Sequence, residues 1–411
     1  MTPEKSVLKK YAQLIVQTGL NLKKEQTLVI TSPVECAYFA REVVEAAYLA
    51  GARDVVMNWK DELFSRLRFL HAEEQVFAEF PDWQKDFYTF YLQKGAAFLS
   101  ISASDPEIFK GLDVGKLSLA QKTGNTALKG YREKIMNNEN AWCVISIPTP
   151  AWAKKVFPDL PEKEAMRKLW DAILKTVRVD REDPVASWTQ HKNKLKKWTE
   201  FLNGAQFAKL KLQNSQGTDL SVELPDGHIW LAGSEYTKEG REFTANMPTE
   251  EVFTMPKKTG ANGTVSSSKP LNYNGNLIKD FSLTLKDGKI IEYTAKEGQE
   301  VLKQLLETDP GAAYLGEVAL VPYDSPISNS NILFYNTLFD ENASCHLAVG
   351  KAYKVCLRDA DKMSEAELEK AGVNDSLVHV DFMIGTSDLK IIGITKSGEE
   401  KVVFEKGNFA I

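Results

Sequence analysis

Residues 26–59 read QTLVITSPVECAYFAREVVEAAYLAGARDVVMNW, with two short apolar runs on either side of a longer amphipathic stretch. The runs at 26–32 and 54–59 are rich in β-branched residues, as buried strands are. Between them, residues 35–51 carry apolar side chains at the spacing of a helix. A strand, a helix and a strand in this order predict two parallel strands joined by a crossover helix, so the first half of the chain is predicted to be α/β.

Two further apolar runs, AAFLSISAS (96–104) and WCVISIPT (142–149), extend this alternation and predict a mainly parallel sheet. Neither GxGxxG nor GxxxxGK follows the first strand, which opposes a nucleotide-dependent enzyme. A helical segment at 188–204 closes the region at Gly204, a common residue at helix ends. We therefore predict an α/β scaffold domain over residues 1–204.

The pattern after Phe207 changes to alternating apolar and polar residues, which predicts a mainly antiparallel β (α+β) domain over residues 205–411. One clear helix is predicted within it, EGQEVLKQLLET (297–308), which ends before Pro310. The Asp287-Gly288 pair is the strongest short hairpin signal. Hairpins are predicted in AKLKLQNSQGTDLSVEL (208–224), SLTLKDGKIIEYT (282–294) and LKIIGITKSGEEKVVF (389–404).

The composition is that of a soluble globular protein, with 43 % hydrophobic and 26 % charged residues among 411. Its net charge of -5, without any Lys/Arg run interleaved with aromatic residues, opposes nucleic acid as a partner. The N-terminus lacks the apolar core of a signal peptide, and the longest uncharged apolar stretch, 141–152, is shorter than the roughly 20 residues that span a bilayer. We expect a cytoplasmic protein that does not enter the membrane.

The four cysteines, Cys36, Cys143, Cys345 and Cys356, contain no CxxC pair, so a thiolate zinc site is disfavoured. Cys36 and Cys143 lie in apolar segments, where a free cysteine usually packs as a small hydrophobic residue. The chemistry is expected from acids and histidines of the second half.

The stretch SLVHVDFMIG (376–385) alternates apolar residues with His379 and Asp381. In a strand these two side chains project from the same face, with Cα atoms about 7 Å apart, and could meet one ion. The alternative is an ordinary amphipathic strand whose polar face meets water. In AAYLGEVALVPY (312–323), Glu317 is the only charge of a strand-like apolar run, so its carboxylate should be neutralised, paired or bound to a metal.

The stretch LFDENASCHLAVGKAY (338–353) places a histidine directly after a cysteine. Consecutive side chains point apart in a strand or a helix, so Cys345 and His346 are not expected to bind one ion together. A cysteine nucleophile would need a separate base and orienting group. If the chain is helical from His346, Tyr353 lies nearly in line with it. A lone His346 would more often be a core or cap residue, and Glu341 adds an acid nearby.

The stretch NMPTEEVFTMP (246–256) holds Glu250 and Glu251 between prolines, although adjacent acids usually face solvent. A mixture of carboxylates and imidazoles suits two Zn, Co or Mn ions better than one structural zinc. No HExxH is present, which excludes the single-zinc helix protease, and no DxDxDG loop supports calcium. The candidates from the four stretches are Glu251, Glu317, Glu341, His346, His379 and Asp381.

The motifs NMPTEEVFTMP, GEVALVPYDSPI, LFDENASCHLAVGKAY and HVDFMIGTSDLKIIG, in this order and spacing, resemble the metal-dependent aminopeptidase family typified by aminopeptidase T and aminopeptidase S. The resemblance implies a homodimer whose subunits have an N-terminal α/β domain and a C-terminal domain that holds two divalent ions. The family's metal-binding positions match those six candidates, with Glu251 rather than Glu250 as the ligand of its pair. The family's tyrosine near the metals matches Tyr353.

The implied reaction is removal of the N-terminal residue from a peptide. Two ions would activate a water and hold the scissile carbonyl. Glu251 or Glu317 would carry the proton to the leaving amine, and Tyr353 would donate a hydrogen bond to the developing oxyanion. The alternatives are a dinuclear hydrolase of the same fold acting on another amide, and a protein that binds metal without catalysis.

Overall fold

The computed structural model of the chain describes residues 2–273 and 275–411. The chain forms two compact units, the first made of the residues up to Gln190 together with Ser234–Pro248, and the second of His191–Gly233 and Thr249–Ile411. The predicted domain boundary after residue 204 stays a prediction. In the described part of the chain, no helix combines the length and the apolar character that crossing a membrane requires.

The helices of the described residues are α1 (Lys5–Leu14), α2 (Ala37–Leu49), α3 (Glu62–His71), α4 (Asp82–Gln93), α5 (Val114–Ala127), α6 (Lys129–Met136), α7 (Pro150–Val156), α8 (Glu162–Thr176), α9 (Pro184–Ala205), α10 (Gln299–Leu306), α11 (Thr337–Asp340) and α12 (Glu365–Ala371). Short 3-10 turns follow several strands and helices, among them Glu341–Ala343 directly after α11. The predicted helices at 35–51, 188–204 and 297–308 are therefore confirmed as α2, α9 and α10.

The strands are β1 (Thr27–Pro33), β2 (Asp54–Lys60), β3 (Ala97–Ile101), β4 (Trp142–Ile145), β5 (Lys209–Gln213), β6 (Asp219–Glu223), β7 (Leu231–Ala232), β8 (Glu235–Tyr236), β9 (Glu242–Phe243), β10 (Val252–Thr254), β11 (Ala261–Ser266), β12 (Leu271–Tyr273), β13 (Asn276–Lys286), β14 (Lys289–Glu297), β15 (Leu315–Leu320), β16 (His346–Gly350), β17 (His379–Met383), β18 (Lys390–Ile394), β19 (Glu400–Glu405) and β20 (Asn408–Phe409). They form a parallel four-stranded sheet, two larger antiparallel sheets and the two-stranded antiparallel pair β8–β9.

The first unit contains a parallel sheet in the order β2-β1-β3-β4, which confirms the predicted α/β class. Its central strand β1 buries Leu28, Val29 and Ile30 almost completely, as a strand covered on both faces must. The segment 245–247 returns from far along the chain and pairs with the outer edge of β4 through the backbone of Val144. No local sequence signal indicates this return.

The second unit contains two antiparallel sheets, which confirms the predicted antiparallel class. One has the order β17-β16-β15-β10-β7, and the other the order β12-β13-β11-β6-β5-β18-β19-β20, with β14 paired to β13. The three predicted hairpins are present as β5–β6, β13–β14 and β18–β19. Asp287 and Gly288 form the β13–β14 turn with φ values of 49° and 80°, a left-handed conformation that Asp tolerates and Gly favours.

The five-stranded sheet separates its two faces by strand alternation. Alternate side chains of its strands are buried in one core with apolar residues of the nine-stranded sheet and α9: Val252, Val318, Leu320, Leu347, Val349 and Phe382. The residues between them project from the opposite face. There Ala348 pairs with Glu317 on one neighbour and with Asp381 on the other, and Gly350 pairs with His379. The apolar face therefore holds in place a face that carries acids and histidines.

Truncation of a side chain on the buried, apolar face of the five-stranded sheet is expected to cause a large loss of stability. Leu347 is 0 % exposed, so Leu347→Ala should lower the free energy of unfolding by about 2–5 kcal/mol, measured by denaturant titration. Leu377→Ala is the matched control, because Leu377 is 81 % exposed and its loss should change stability by no more than about 0.5 kcal/mol. Equal effects of the two variants would contradict the assignment of the faces.

Candidate metal centre

The polar face of the five-stranded sheet collects side chains from four of its segments. Glu317 lies in β15, His346 begins β16, and Glu251 immediately precedes β10. His379 and Asp381 lie two residues apart in β17, which confirms the common face predicted from alternation. The small side chain of Ala348, between Glu317 and Asp381 in the register, leaves room for these longer side chains to converge.

One group of donors surrounds His346. Its Nε2 lies 3.4 Å from Oε2 of Glu251 and 3.6 Å from Oε1 of Glu317. One atom from each of the three residues lies within 4.8 Å of the others, a spacing at which one metal ion could be held. The side chain of His346 is 1 % exposed, so water cannot replace these neighbours.

A second group surrounds His379. Its Nε2 lies 3.4 Å from Oε2 of Glu317 and 3.3 Å from Oδ1 of Asp381. These atoms also lie within 4.8 Å of one another. Glu317 thus belongs to both groups, with one carboxylate oxygen towards each histidine.

The opposite ring nitrogen of each histidine faces a backbone carbonyl. Nδ1 of His346 lies 3.2 Å from the oxygen of Ser344, and Nδ1 of His379 lies 2.7 Å from the oxygen of Lys351. Because a carbonyl only accepts, each Nδ1 carries a hydrogen, and in the neutral ring Nε2 presents its lone pair to the carboxylates. A proton or a cation must lie between these atoms to make the contact favourable.

Gly316 has no side chain, and this allows the carbonyl oxygen of Lys351 to lie where it contacts Nδ1 of His379. A Cβ atom at this position would collide with the carbonyl oxygen of Lys351, the same oxygen that faces His379. The register between β15 and β16 also shifts between Leu315 and Glu317. Glycine therefore permits the close backbone approach that orients one histidine of the cluster.

Burial controls the protonation of the cluster. It raises the pKa of Glu251 to about 8, with Glu317 and Asp381 adding to the rise and His346 opposing it. Burial alone would lower the pKa of His346, but Glu317, Glu251 and Asp381 outweigh it and raise that pKa to about 10. The site therefore retains protons that a bound cation would displace. Oδ1 of Asp381 is moreover buried without a hydrogen-bond partner among the described residues. This donor set fits divalent metal ions.

Glu341 and Tyr353 lie at the border of the two groups. Burial raises the pKa of Glu341, and the carboxylates of Glu251 and Asp381 raise it further, so all three share one electrostatic environment. The ring of Tyr353 lies 4.5 Å from that of His379, centroid to centroid. Burial, followed by Glu317 and Asp381, raises the pKa of Tyr353, so its hydroxyl stays protonated and can donate a hydrogen bond.

The helical conformation considered for the residues from His346 onward is not present. Residues His346–Gly350 form β16, because they pair on both sides with β15 and β17. Tyr353 reaches the cluster from the segment after this strand, not from the same helix face as His346.

Cys345 points away from the cluster, as expected for the neighbour of His346 in a strand. Its Sγ lies 3.3 Å from both the nitrogen and the oxygen of Val321. Burial raises the pKa of this thiol to about 12, so it carries no thiolate at neutral pH. A cysteine nucleophile at this position is therefore unsupported.

Two polar residues near the cluster, His191 and Asn342, were not predicted from the sequence as part of the site. Nε2 of His191, in α9, lies 2.8 Å from the oxygen of Thr249 and 3.6 Å from Oε2 of Glu250. Glu250 thus faces His191, whereas Glu251 faces His346. Asn342 binds the backbone of Glu250. The sequence signal for His191 is a histidine among the lysines of α9. It gives no indication that Thr249 and Glu250 lie beside it.

The raised pKa values predict how the metal-free protein responds to pH. Glu251 and His346 hold protons in the folded state that the unfolded chain releases, so their stabilisation is present at low pH and is lost as pH rises towards about 8 and about 10. We expect the free energy of unfolding in chelator, and with it the melting temperature, to fall between pH 5 and 9; the free energy should fall by up to about 1.4 kcal/mol per pH unit for each group. Glu251→Gln should flatten the fall below pH 8.

Divalent metal provides the control for this pH series. Metal binding requires deprotonated ligands, so added metal should stabilise the protein more at pH 8 than at pH 5. A metal-free melting temperature that rises over the same range would contradict the protonation assigned to the cluster.

The thermophilic metalloprotease family (M29) matches residues 4–409 of this chain. Aminopeptidase 2 of Geobacillus stearothermophilus is 49 % identical over 403 residues, which cover 98 % of this chain and 97 % of that protein. Aminopeptidase AmpS of Bacillus subtilis is 45 % identical over 403 residues, or 98 % of each chain. The solved structure of wild-type AmpT from Thermus thermophilus superposes with a TM-score of 0.94 at 38 % identity, covering 100 % of both chains. The chain therefore belongs to the thermophilic metalloprotease family M29 and is a metallopeptidase.

Proposed function

We propose that this protein is an aminopeptidase that removes the N-terminal residue from peptides with the help of two divalent metal ions. The observation that carries the proposal is the pair of donor groups around His346 and His379, which share Glu317. The relatives are aminopeptidases by name, which supports the same reaction here.

The two donor groups support one ion each. Glu251 and His346 would hold the first ion, and His379 and Asp381 the second. Glu317 would help to hold both ions, because its two oxygens face different histidines. Glu341 would complete the set through its closeness to Glu251 and Asp381. Mixed carboxylate and imidazole donors suit Zn, Co or Mn.

Divalent ions in this donor set would supply Lewis acidity, which polarises the scissile carbonyl and makes water a nucleophile near neutral pH. The protein's own part includes proton transfer. Both oxygens of Glu317 face histidines, so we assign the proton transfer from water to the leaving amine to Glu251, whose Oε2 faces His346.

Tyr353 would stabilise the charge that develops on the carbonyl oxygen. Its hydroxyl remains protonated beside several carboxylates, and its ring is held between those of His379 and Phe253. A fixed donor of this kind is worth more in a buried site than in water.

The same proposal includes a homodimer and a cytoplasmic location. The helix α3 carries no buried residue, and it exposes four large apolar side chains over a short span: Leu63, Phe64, Leu67 and Leu70. A second copy of the chain would cover such a surface. All four cysteines are free and buried, as is usual for proteins of a reducing compartment.

Reconstitution with metal tests the proposal. The protein is stripped with chelator and assayed on aminoacyl anilides and short peptides, before and after addition of Zn, Co or Mn. We expect activity only after metal is added, and two ions per chain by elemental analysis. His379→Ala should lower the metal content, because it removes one donor from the second group.

His228→Ala is the matched control. His228 is also buried in the second unit, but it faces the oxygen of Pro225, outside the cluster, so its loss should leave the metal content unchanged. A folded protein that binds metal but cleaves nothing with any of the three ions would instead be a non-catalytic metal-binding protein. Equal cleavage of substrates with a blocked N-terminus would indicate a hydrolase of other amides.

A further inference from the structure

Asn342 lies between the two acidic segments that border the candidate metal centre. It follows Glu341 in the 3-10 turn after α11 and is 0 % exposed. Its Oδ1 accepts a hydrogen bond of 2.7 Å from the backbone N–H of Glu250. Its Nδ2 donates to the oxygen of Leu338 at 3.2 Å and lies 3.4 Å from Oε1 of Glu341.

The bond to Glu250 joins parts of the chain that are 92 residues apart. Glu250 directly precedes Glu251, so any movement of its backbone moves the Glu251 carboxylate as well. On the other side of the same loop, Nε2 of His191 lies 2.8 Å from the oxygen of Thr249. The peptide group between Thr249 and Glu250 is thus contacted by a buried side chain on each side, and the Asn342 side chain also contacts Glu341.

We propose that Asn342 is a positioning residue that sets the separation of the Glu251 and Glu341 carboxylates and thereby the affinity of the centre for divalent ions. This inference rests on the dinuclear centre of the proposed function. Groups that orient metal ligands without touching the metal typically change metal affinity by 10–100-fold when they are lost. Because the bond is buried, removing the side chain takes away the partner of the Glu250 N–H.

The chemistry of the position requires an amide. The oxygen of Asn342 must accept from the Glu250 N–H, while its nitrogen must donate to a carbonyl and face a carboxylate. An aspartate at 342 would keep the acceptor but place a carboxylate against the oxygen of Leu338 and Oε1 of Glu341, so it does not isolate the bond to Glu250. A leucine would fill a similar volume and lose both the acceptor and the donor without adding a charge.

Competition with a chromophoric chelator measures the zinc affinity of each variant directly, without an activity assay. We expect Asn342→Leu to raise the Kd of the weaker zinc site 10–100-fold. If Asn342→Leu does not fold, Asn342→Ala removes the same bonds without added bulk and takes its place.

Asn203 offers a matched control for general loss of stability. Its side chain also makes an acceptor and a donor bond, at 2.8 and 2.9 Å, with the backbone of Trp230, outside the metal cluster. Asn203→Leu should lower the melting temperature and leave the zinc Kd unchanged. An equal rise of Kd in this control would overturn the proposal.

The stoichiometry of the wild-type protein separates this inference from the proposed function. Fewer than two zinc ions per wild-type chain would overturn the dinuclear centre itself. If the wild type and Asn342→Leu each bind two zinc ions, and the Kd values of the two proteins are the same, only the role of Asn342 is overturned.

Discussion

The second unit is organised around one constraint, which is that four acidic side chains are buried close together. Glu251, Glu317, Glu341 and Asp381 lie around His346 and His379, where burial opposes ionisation. Carboxylates so close together repel one another, and the lone pairs of the two imidazoles add to that repulsion. Protons can neutralise the cluster, but divalent cations do so with better geometry for this mixture of donors. Binding of divalent cations is therefore expected to stabilise the site.

The apolar half of the same sheet supplies the rigidity that such a cluster requires. Each strand that carries a donor also carries a core residue at the next position, such as Leu347 beside His346 and Phe382 beside Asp381. A shift of one residue in the register would bring the acids into the core and expose the apolar side chains, so packing fixes the donors in place. Residues around the donors also help to position them. Gly316 leaves space for the carbonyl oxygen of Lys351 that faces His379, and Asn342 accepts a hydrogen bond from the loop before β10.

Much of this could be predicted from local sequence patterns. The strand period predicted the common face of His379 and Asp381, and a single charge in an apolar run drew attention to Glu317. The order of strands in the sheet could not be predicted this way, because β10 pairs with β15 across more than sixty residues and such pairing leaves no local signal. The choice of Glu251 over Glu250 came from the family resemblance, and the structure places only Glu251 beside His346. Asn342 and His191 were missed because their partners are distant in sequence.

The proposed function depends on a Glu317 side chain shared by two metal ions. A crystal of the protein loaded with zinc, measured at the zinc absorption edge, would locate the ions by anomalous scattering. We expect two peaks per chain about 3.5–4 Å apart, one beside Glu251 and His346 and one beside His379 and Asp381, with an oxygen of Glu317 at each. A single peak, or two peaks of which only one lies next to Glu317, would contradict this shared role of Glu317.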